Sequence, residues 1–223
     1  MRILLLLLLA FAVPAAAADR DVTAEYASRD FAPLLMPKTV FLGFIGNDYQ
    51  RLRIHFTAIT KDPKNPRVYR VKGWSLVKNN RCDFEGVLNV QKITAIENMH
   101  YGVDEMYKDA GLKAQGVFSA AYDFRENPAE KHAGVFRGTM ALDWYVDARN
   151  KLLYDKIGSY SDDYENNQYT GTWTLYGAGT KSKTANWGEY RIPNSGDLDI
   201  GAGEFGPNPK YNDKGWADYQ FGQ

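Results

Sequence analysis

Interleaved carboxylates and tyrosines are the side chains of this sequence with the clearest chemical potential. Four acidic residues and four tyrosines share one stretch, namely Asp155, Asp162, Asp163 and Glu165 with Tyr154, Tyr160, Tyr164 and Tyr169. In glycoside hydrolysis one carboxyl group protonates the leaving oxygen while a second attacks the sugar or activates water. Aromatic faces can also pack on the apolar side of a sugar ring. The stretch therefore fits a glycan-active hydrolase, and it equally fits a solvated loop between two strands.

A second candidate site lies further along the chain, where Trp187, Glu189 and Arg191 alternate with other residues. If this face points inward, Glu189 and Arg191 pair with each other or bind a polar group of a ligand. The alternative is an exposed cross-strand pair. Together with Tyr169 and Trp173, which share the apolar face of another predicted strand, these residues form the predicted ligand-binding set.

Patterns of metal ligands are sparse in this sequence. Asp197 and Asp199 are spaced like the start of a calcium loop, but the later positions of an EF-type loop do not match. A different calcium loop formed by Asp197, Asp199 and Glu204 is the remaining candidate, with ordinary turn residues as the alternative. The three histidines stand alone in the sequence. We therefore predict no other metal site and no cofactor.

The composition excludes several further classes of function. The 223 residues carry 27 Lys and Arg against 27 Asp and Glu, so the chain lacks the basic footprint of a nucleic-acid-binding protein. The single cysteine excludes an intrachain disulfide, and Cys82 has no nearby histidine that would make it a nucleophile. The sequence contains neither a Gly-x-Ser-x-Gly elbow nor a phosphate-binding loop.

The first 18 residues have the features of a signal peptide. Arg2 precedes an apolar run from Ile3 to Val13, and alanines occupy positions 15–18. Cleavage before Asp19 predicts an exported protein, periplasmic or extracellular, and the lack of a cysteine at that point argues against a lipid anchor. The apolar run is too short for a transmembrane helix, and no later segment is long and apolar enough to form one.

The elements that position these side chains are predicted to be β-strands. Residues 51–58 alternate polar and apolar positions, and the longest such row runs from Phe136 to Val146. Short polar turns separate the rows, which favours antiparallel neighbours. We therefore predict an all-β fold, an antiparallel up-and-down meander that closes into a barrel or a two-sheet sandwich, with at most one or two short helices.

The chain is predicted to divide into four regions. The signal peptide covers residues 1–18, an N-terminal extension covers 19–38, and the barrel or sandwich domain covers 39–193. The irregular segment 194–223 is rich in Gly, Pro, Asn and Asp, yet it also contains several aromatic residues. Because so many aromatic side chains favour burial, we expect this segment to pack on the domain.

An aromatic-x-Gly-x-apolar motif occurs three times in the predicted strands, around Gly86, Gly138 and Gly171. A glycine on the apolar face of a strand marks a bend, a bulge or the close approach of another group. Either the missing side chains leave room for a ligand inside the fold, or large aromatic neighbours fill that space.

The alternating rows and strand glycines resemble those of lipocalin-like, calycin-type β-barrels over most of residues 39–192. The resemblance implies a barrel that carries a small apolar ligand in its interior. Residues 186–193 and 197–205 also look like a stretch shared by uncharacterised exported bacterial proteins, a resemblance that implies no activity.

The sequence as a whole favours an exported, non-enzymatic binding protein for a small apolar molecule or a glycan. The first alternative is a glycan-active hydrolase that uses loop carboxylates around 155–165 or 197–204. The second is a structural or interaction protein of the cell envelope, in which the aromatic residues only build the core. An outer-membrane barrel fits the alternation but not the overall polarity of the sequence.

Overall fold

The structure, a computed structural model, describes residues 19–177, 179 and 181–220. The predicted signal peptide at residues 1–18 lies outside these residues. The described strands are β1 (Arg20–Asp21), β2 (Phe41–Ile45), β3 (Gln50–Lys61), β4 (Val68–Val77), β5 (Asn80–Ala95), β6 (Ala114–Glu126), β7 (Gly134–Val146), β8 (Leu152–Tyr154), β9 (Asn166–Leu175) and β10 (Ser182–Glu189). The α-helices are α1 (Thr23–Tyr26) and α2 (Ala32–Leu35), and short 3-10 helices span Val103–Glu105, Gly196–Leu198 and Pro209–Lys214.

Eight of these strands form a closed antiparallel barrel. From β2 to β7 each strand pairs with its neighbour in sequence, β7 then pairs with β9, and β9 pairs with β10. The ring closes where β10 pairs with β2, with Ala185 opposite Ile45. Strands β1 and β8 lie outside this ring and pair with β5 and β7. The predicted all-β antiparallel meander is confirmed, and the barrel is the correct one of the two predicted architectures.

The alternation of apolar and polar residues determines which side of each strand faces inward. In β3, Leu52, Ile54 and Phe56 are almost completely buried, whereas Arg51 and Arg53 are partly exposed. Burying each large apolar side chain stabilises the fold by about 1.5–3 kcal/mol. A shift of one residue in register would move these side chains to the outer face, and the whole strand would lose this stabilisation.

Aromatic side chains fill the interior of the barrel. The ring of Phe56 lies 5.1 Å from that of Phe41 and 5.7 Å from that of Phe124, both edge to face. Tyr169 stacks on Trp187 with ring centroids 5.1 Å apart. All five side chains are almost completely buried. The interior is therefore the hydrophobic core of the protein.

The strand glycines allow neighbouring groups to approach the backbone closely. Gly138 and Gly171 face each other across β7 and β9. A Cβ atom added at Gly171 would lie 2.1 Å from the carbonyl oxygen of Arg137 and 2.4 Å from the hydroxyl oxygen of Tyr122. The structure therefore supports the interpretation that neighbouring groups fill the space beside these glycines, because backbone atoms and an aromatic side chain occupy it.

Helices α1 and α2 close one end of the barrel, which we call the helical end. Phe31 and Leu35 are fully buried there, and the ring of Phe31 lies 4.7 Å from that of Phe118. The amide of Phe31 donates a hydrogen bond to the hydroxyl of Tyr69 at 3.1 Å. The opposite end, which we call the hairpin end, consists of the turns that join β2–β3, β4–β5, β6–β7 and β9–β10. Within the described residues, no helix has the length and apolar character needed to span a bilayer.

The C-terminal segment, residues 190–220, packs against the outer face of β2. Phe44 of β2 forms a small second hydrophobic cluster with four residues of the segment, Ile192, Leu198, Phe205 and Trp216. The indole nitrogen of Trp216 donates a hydrogen bond to the carbonyl oxygen of Tyr49 at 2.8 Å. Because this segment leaves β10 at the helical end, its first residues help to shape the surface there.

Candidate functional site

A largely apolar cleft of about 540 Å³ opens at the helical end of the barrel. It lies between α2, the segment that leads into β2, and the ends of β8 and β10. Its apolar walls are formed by Pro33, Leu34, Met36, Val40, Leu42 and Leu153, together with the rings of Tyr145, Tyr154, Tyr190 and Tyr219. Clefts of this size and character are typical of small-molecule sites. We refer to it as the apolar cleft.

Glu189 places a carboxyl group among these apolar walls. It is the last residue of β10. Trp187 pairs with Tyr169 and Glu189 pairs with Asn166, so β9 contains one extra residue opposite this end of β10, and a bulged strand bends locally. Its Oε2 accepts hydrogen bonds from the hydroxyl of Tyr154 at 3.0 Å and from Nδ2 of Asn167 at 3.1 Å. Its Oε1 accepts none from any residue that the structure describes.

Burial determines the electrostatics of this carboxyl group. The loss of hydration raises the pKa of Glu189 above its usual range, because the charged form is the one that burial penalises. The hydrogen bonds from Asn167 and Tyr154 and the charges of Lys156 and Lys38 act in the opposite direction, but burial is the largest effect. Glu189 is thus a half-buried hydrogen-bond acceptor, and its Oε1 has no partner among the described residues.

Asn167 connects this carboxyl group to the helical end. The residue is fully buried and has a φ of 53°, a conformation that asparagine tolerates better than most residues. Its Nδ2 donates both to Glu189 and to the carbonyl oxygen of Leu35 at 3.2 Å. The C-terminus of α2 and the carboxyl group of the apolar cleft are therefore held by the same amide.

The structure separates the five residues of the predicted ligand-binding set. Tyr169 and Trp187 stack on each other inside the core, and neither lines the apolar cleft. Trp173 lies toward the hairpin end, where its indole nitrogen donates to Glu126 at 2.9 Å. Arg191 does not pair with Glu189 but with Asp199 and Asp163. Only Glu189 belongs to the cleft.

Sequence patterns do not identify the remaining residues of the cleft. Leu34, Met36 and Lys38 precede the predicted domain, and Tyr154 was considered only as part of the acidic stretch. The one signal available was the short apolar segment around α2, which a sequence pattern cannot assign to a cleft wall.

The three candidate calcium ligands have other partners or none. Asp199 pairs with Arg191 at 2.6 Å, and its Oδ1 accepts hydrogen bonds from the amides of Gly201 and Gly206. Asp197 contacts Lys210 and accepts a hydrogen bond from the hydroxyl of Tyr211 at 2.7 Å, and Glu204 is exposed. Within the described residues, no group of three or more His, Cys, Asp or Glu side chains could hold a metal ion.

A second, polar cleft of about 390 Å³ brings together part of the acidic stretch. It is lined by Asp143, Asp155, Glu165 and His100, and we call it the acidic cleft. Nε2 of His100 lies 3.6 Å from Oδ2 of Asp155. The carboxyl group of Asp143 accepts no hydrogen bond from the residues described, and burial, followed by the charges of Asp155 and Glu165, raises its pKa to about 6.

The other acidic residues of the stretch lie elsewhere. Asp163 pairs with Arg191 at 3.0 Å, and Asp162 is exposed and lines a neighbouring surface depression with Tyr160 and Tyr164. Asp143, which the sequence analysis did not include among its site residues, comes from β7 and completes the group.

No protein-family model, curated protein or solved structure matches this chain. The geometry of the two clefts is therefore the basis on which function is inferred.

Proposed function

We propose that this protein binds a small amphipathic molecule in the apolar cleft. The apolar body of the ligand contacts the aliphatic walls and the tyrosine rings, and a hydroxyl or amide group of the ligand donates a hydrogen bond to Oε1 of Glu189. In this proposal the protein is exported, as residues 1–18 predict, and acts as a binding protein rather than as an enzyme.

The unpartnered oxygen of Glu189 in apolar surroundings is the observation that carries the proposal. Glu189 is half-buried and its Oε1 is not enclosed by the protein, so a ligand in the cleft can reach this oxygen. A single well-placed polar group in a largely apolar cleft is the feature that orients a bound small molecule. The filled interior of the barrel supports the same choice, because the apolar cleft offers a ligand space that the core does not.

Blocking the apolar cleft tests this proposal. Val40 lines the cleft and is only partly buried, so Val40→Trp should fill the cleft without disturbing the core. We expect 1-decanol to raise the melting temperature of the wild type but not that of Val40→Trp. At a ligand concentration of about 100 times Kd, the stabilisation is about 2.7 kcal/mol.

Val103→Trp is the matched control, because Val103 is exposed and lies at the acidic cleft. It should respond to 1-decanol like the wild type. An equal response of Val40→Trp, or the lack of any response in the wild type, would contradict the proposal.

Glu189→Gln tests the polar contact separately. The substitution keeps the shape but replaces a charged acceptor with a neutral one, and hydrogen bonds to charged groups are about twice as strong. We expect weaker binding of 1-decanol by calorimetry, whereas Glu204→Gln, on an exposed residue, should bind it like the wild type. Unchanged affinity in Glu189→Gln would place the polar contact elsewhere.

The acidic cleft supports a second candidate function, hydrolysis of a glycosidic bond. The specific observation is Asp143, an unpartnered carboxyl group with a pKa of about 6 next to Asp155. A carboxyl group with a pKa of about 6 can act as the general acid at mildly acidic pH, and the second carboxyl group of such a pair acts as base or nucleophile when it is ionised. Tyr164 lies at the same cleft and offers an aromatic face.

Activity on 4-nitrophenyl glycosides distinguishes this candidate from the first. If the acidic cleft is catalytic, Asp143→Asn and Asp155→Asn abolish release of nitrophenolate, and Asp162→Asn, on an exposed residue outside the cleft, retains it. Activity that survives both cleft substitutions, or no activity in the wild type, removes the hydrolase candidate and leaves the binding proposal untouched.

A further inference from the structure

Two lysines stand at the apolar cleft without an ionic partner. Lys38 lies between α2 and β2, and Lys156 follows β8, so the two side chains come from different walls of the cleft. Both residues are exposed. Neither side chain forms a salt bridge or a hydrogen bond with any residue in the described part of the chain.

The charge of the cleft lining is positive. Glu189 is the single acidic residue among the described residues that line the cleft, against Lys38 and Lys156. The lining therefore keeps a net positive charge even when Glu189 is ionised. Both lysine charges reach the cleft, since both act on the carboxyl group of Glu189.

We propose that the apolar cleft is selective for molecules that combine an apolar body with an anionic head group, which Lys38 and Lys156 bind at the rim. This inference rests on the proposed function, because it identifies the chemical class of the ligand in the same cleft. Two ammonium groups against one carboxylate favour an anionic head group even where that group donates no hydrogen bond to Glu189. A cationic head group would meet two ammonium groups and a single carboxylate. A neutral head group would leave both ammonium groups without a partner.

The expected selectivity is modest, because both lysines are exposed. An exposed ion pair changes affinity by roughly 1.4-fold to 5-fold. Two such contacts together predict a preference of roughly twofold to 25-fold for an anionic over a neutral head group on the same body. The preference should decrease at high salt, since exposed charges are screened.

A set of three ligands with the same ten-carbon body tests the inference. We would measure Kd by calorimetry for decanoate, 1-decanol and decylamine at low and high ionic strength. The proposal predicts that decanoate binds most tightly, 1-decanol less tightly and decylamine most weakly. If Glu189 alone determined selectivity, the order would be reversed.

Substitution of both lysines tests whether they cause the preference for decanoate over 1-decanol. The double variant Lys38→Met/Lys156→Met keeps much of each apolar stem but loses both charges. It should lose the preference for decanoate and bind 1-decanol at least as tightly, because Glu189 is then the remaining charged residue among the described residues that line the cleft. The matched control is Lys78→Met/Lys183→Met, which removes the same charge from two exposed residues remote from the cleft and should keep the preference for decanoate.

Vesicles distinguish the two sources of such a ligand. Flotation with phosphatidylglycerol vesicles, compared with phosphatidylcholine vesicles, measures recognition of an anionic lipid in a membrane. Lysine-dependent binding to the anionic vesicles identifies a membrane lipid, and lysine-dependent binding to decanoate without vesicle binding identifies a free amphiphile. Both outcomes support the anionic head group.

Different results would overturn the anionic head group and the binding of amphiphiles as such. If 1-decanol binds as tightly as decanoate, or if the double lysine variant keeps the preference, the anionic head group is wrong while amphiphile binding stands. If none of the three ligands and neither vesicle binds, both proposals are overturned.

Discussion

The carboxyl groups of Asp143, Glu126 and Glu189 all lie where burial raises their pKa, but they differ in their contacts. Glu126 accepts hydrogen bonds from Ser75, from the amide of Gly134 at 2.7 Å and from the indole of Trp173 at 2.9 Å. These bonds connect strands β4, β6, β7 and β9, which gives Glu126 a structural role at the hairpin end. Asp143 has no such partners among the described residues, so its partial burial lowers the stability of the fold and no hydrogen bond to its carboxyl group offsets this cost.

Asp143→Asn is expected to stabilise the protein at neutral pH. The pKa of Asp143 is about 6 in the folded state against 3.8 in the reference state. Between these values the folded state binds more protons, so this residue's contribution to stability falls as pH rises through that window. The loss is on the order of 3 kcal/mol. The melting temperature of the variant should therefore be several degrees higher than that of the wild type at about pH 7, and the two should be equal below about pH 4.

Scanning calorimetry at both pH values measures this difference. Asp162→Asn serves as the control, because its side chain is exposed and should not change the melting temperature at either pH. If Asp143→Asn melts with the wild type at neutral pH, the carboxyl group of Asp143 has a favourable contact that the structure does not show.

At the scale of elements, the C-terminal segment is held by a small number of buried contacts. Arg191 donates to Asp199 and to the carbonyl oxygens of Gly201 and Ala202, so a single guanidinium organises the first turn of the segment. Farther along, the guanidinium of Arg51 lies 5.3 Å from the ring of Trp216. The segment is thus fastened at both of its ends.

Removing Asp199 should release the first of these attachments. Asp199→Ala leaves two backbone amides without their acceptor and removes one acceptor of the Arg191 guanidinium, which keeps Asp163 and two carbonyl oxygens. We expect a loss of about 1–3 kcal/mol. Urea denaturation measures the free energy of unfolding, and hydrogen exchange shows whether residues 190–220 lose protection first.

Asp197→Ala provides the matched comparison, because the pair between Asp197 and Lys210 is exposed on both sides. Its effect on stability should be small. Similar losses of stability for the two aspartate substitutions would mean that burial of the ion pair does not determine its contribution.

Calcium should not raise the melting temperature of the wild type, because the oxygens of Asp199 already have partners. A clear rise in melting temperature would support a calcium loop at Asp197, Asp199 and Glu204.

At the scale of the whole molecule, closure of the barrel depends on places where strands approach closely. Gly138 and Gly171 form such a place between β7 and β9, with the hydroxyl of Tyr122 directly above both. That hydroxyl is buried and has no hydrogen-bond partner among the described residues. Packing, rather than hydrogen bonding, therefore holds Tyr122 at this position.

Gly171→Ala should strongly destabilise the barrel. The added methyl group would lie 2.1 Å from the carbonyl oxygen of Arg137, so the strands must separate to accept it. We expect a loss of more than about 3 kcal/mol, near the upper end for single substitutions, measured by urea denaturation. Tyr122→Phe in the same background should recover part of the loss, because it removes the second clash.

Thr172→Ala is the control on the adjacent, exposed position of β9, where a change of no more than about 1 kcal/mol is expected. If Gly171→Ala lowers the free energy of unfolding no more than Thr172→Ala does, the barrel accommodates a side chain at position 171, and closure does not require the close approach of the strands.

The sequence by itself determined the all-β class, the antiparallel meander and, for strands with clear alternation, the side that faces inward. Residues 51–58 show why, since a period of two in hydrophobicity encodes both the strand and its buried face. It also marked Glu189 as unusual, because a carboxylate that alternates with a tryptophan calls for an explanation. The choice between barrel and sandwich was not determined, since both produce the same alternation.

Only the tertiary structure decided what surrounds Glu189. Tyr154 and Asn167 lie 35 and 22 positions away in sequence, and Lys38 comes from a segment that precedes the domain predicted from the sequence. No local pattern connects these residues, because they meet only when the closed barrel brings the ends of β8 and β10 against α2. Hydrophobic periodicity is a property of one strand, whereas a cleft is formed by several segments whose proximity depends on the whole fold.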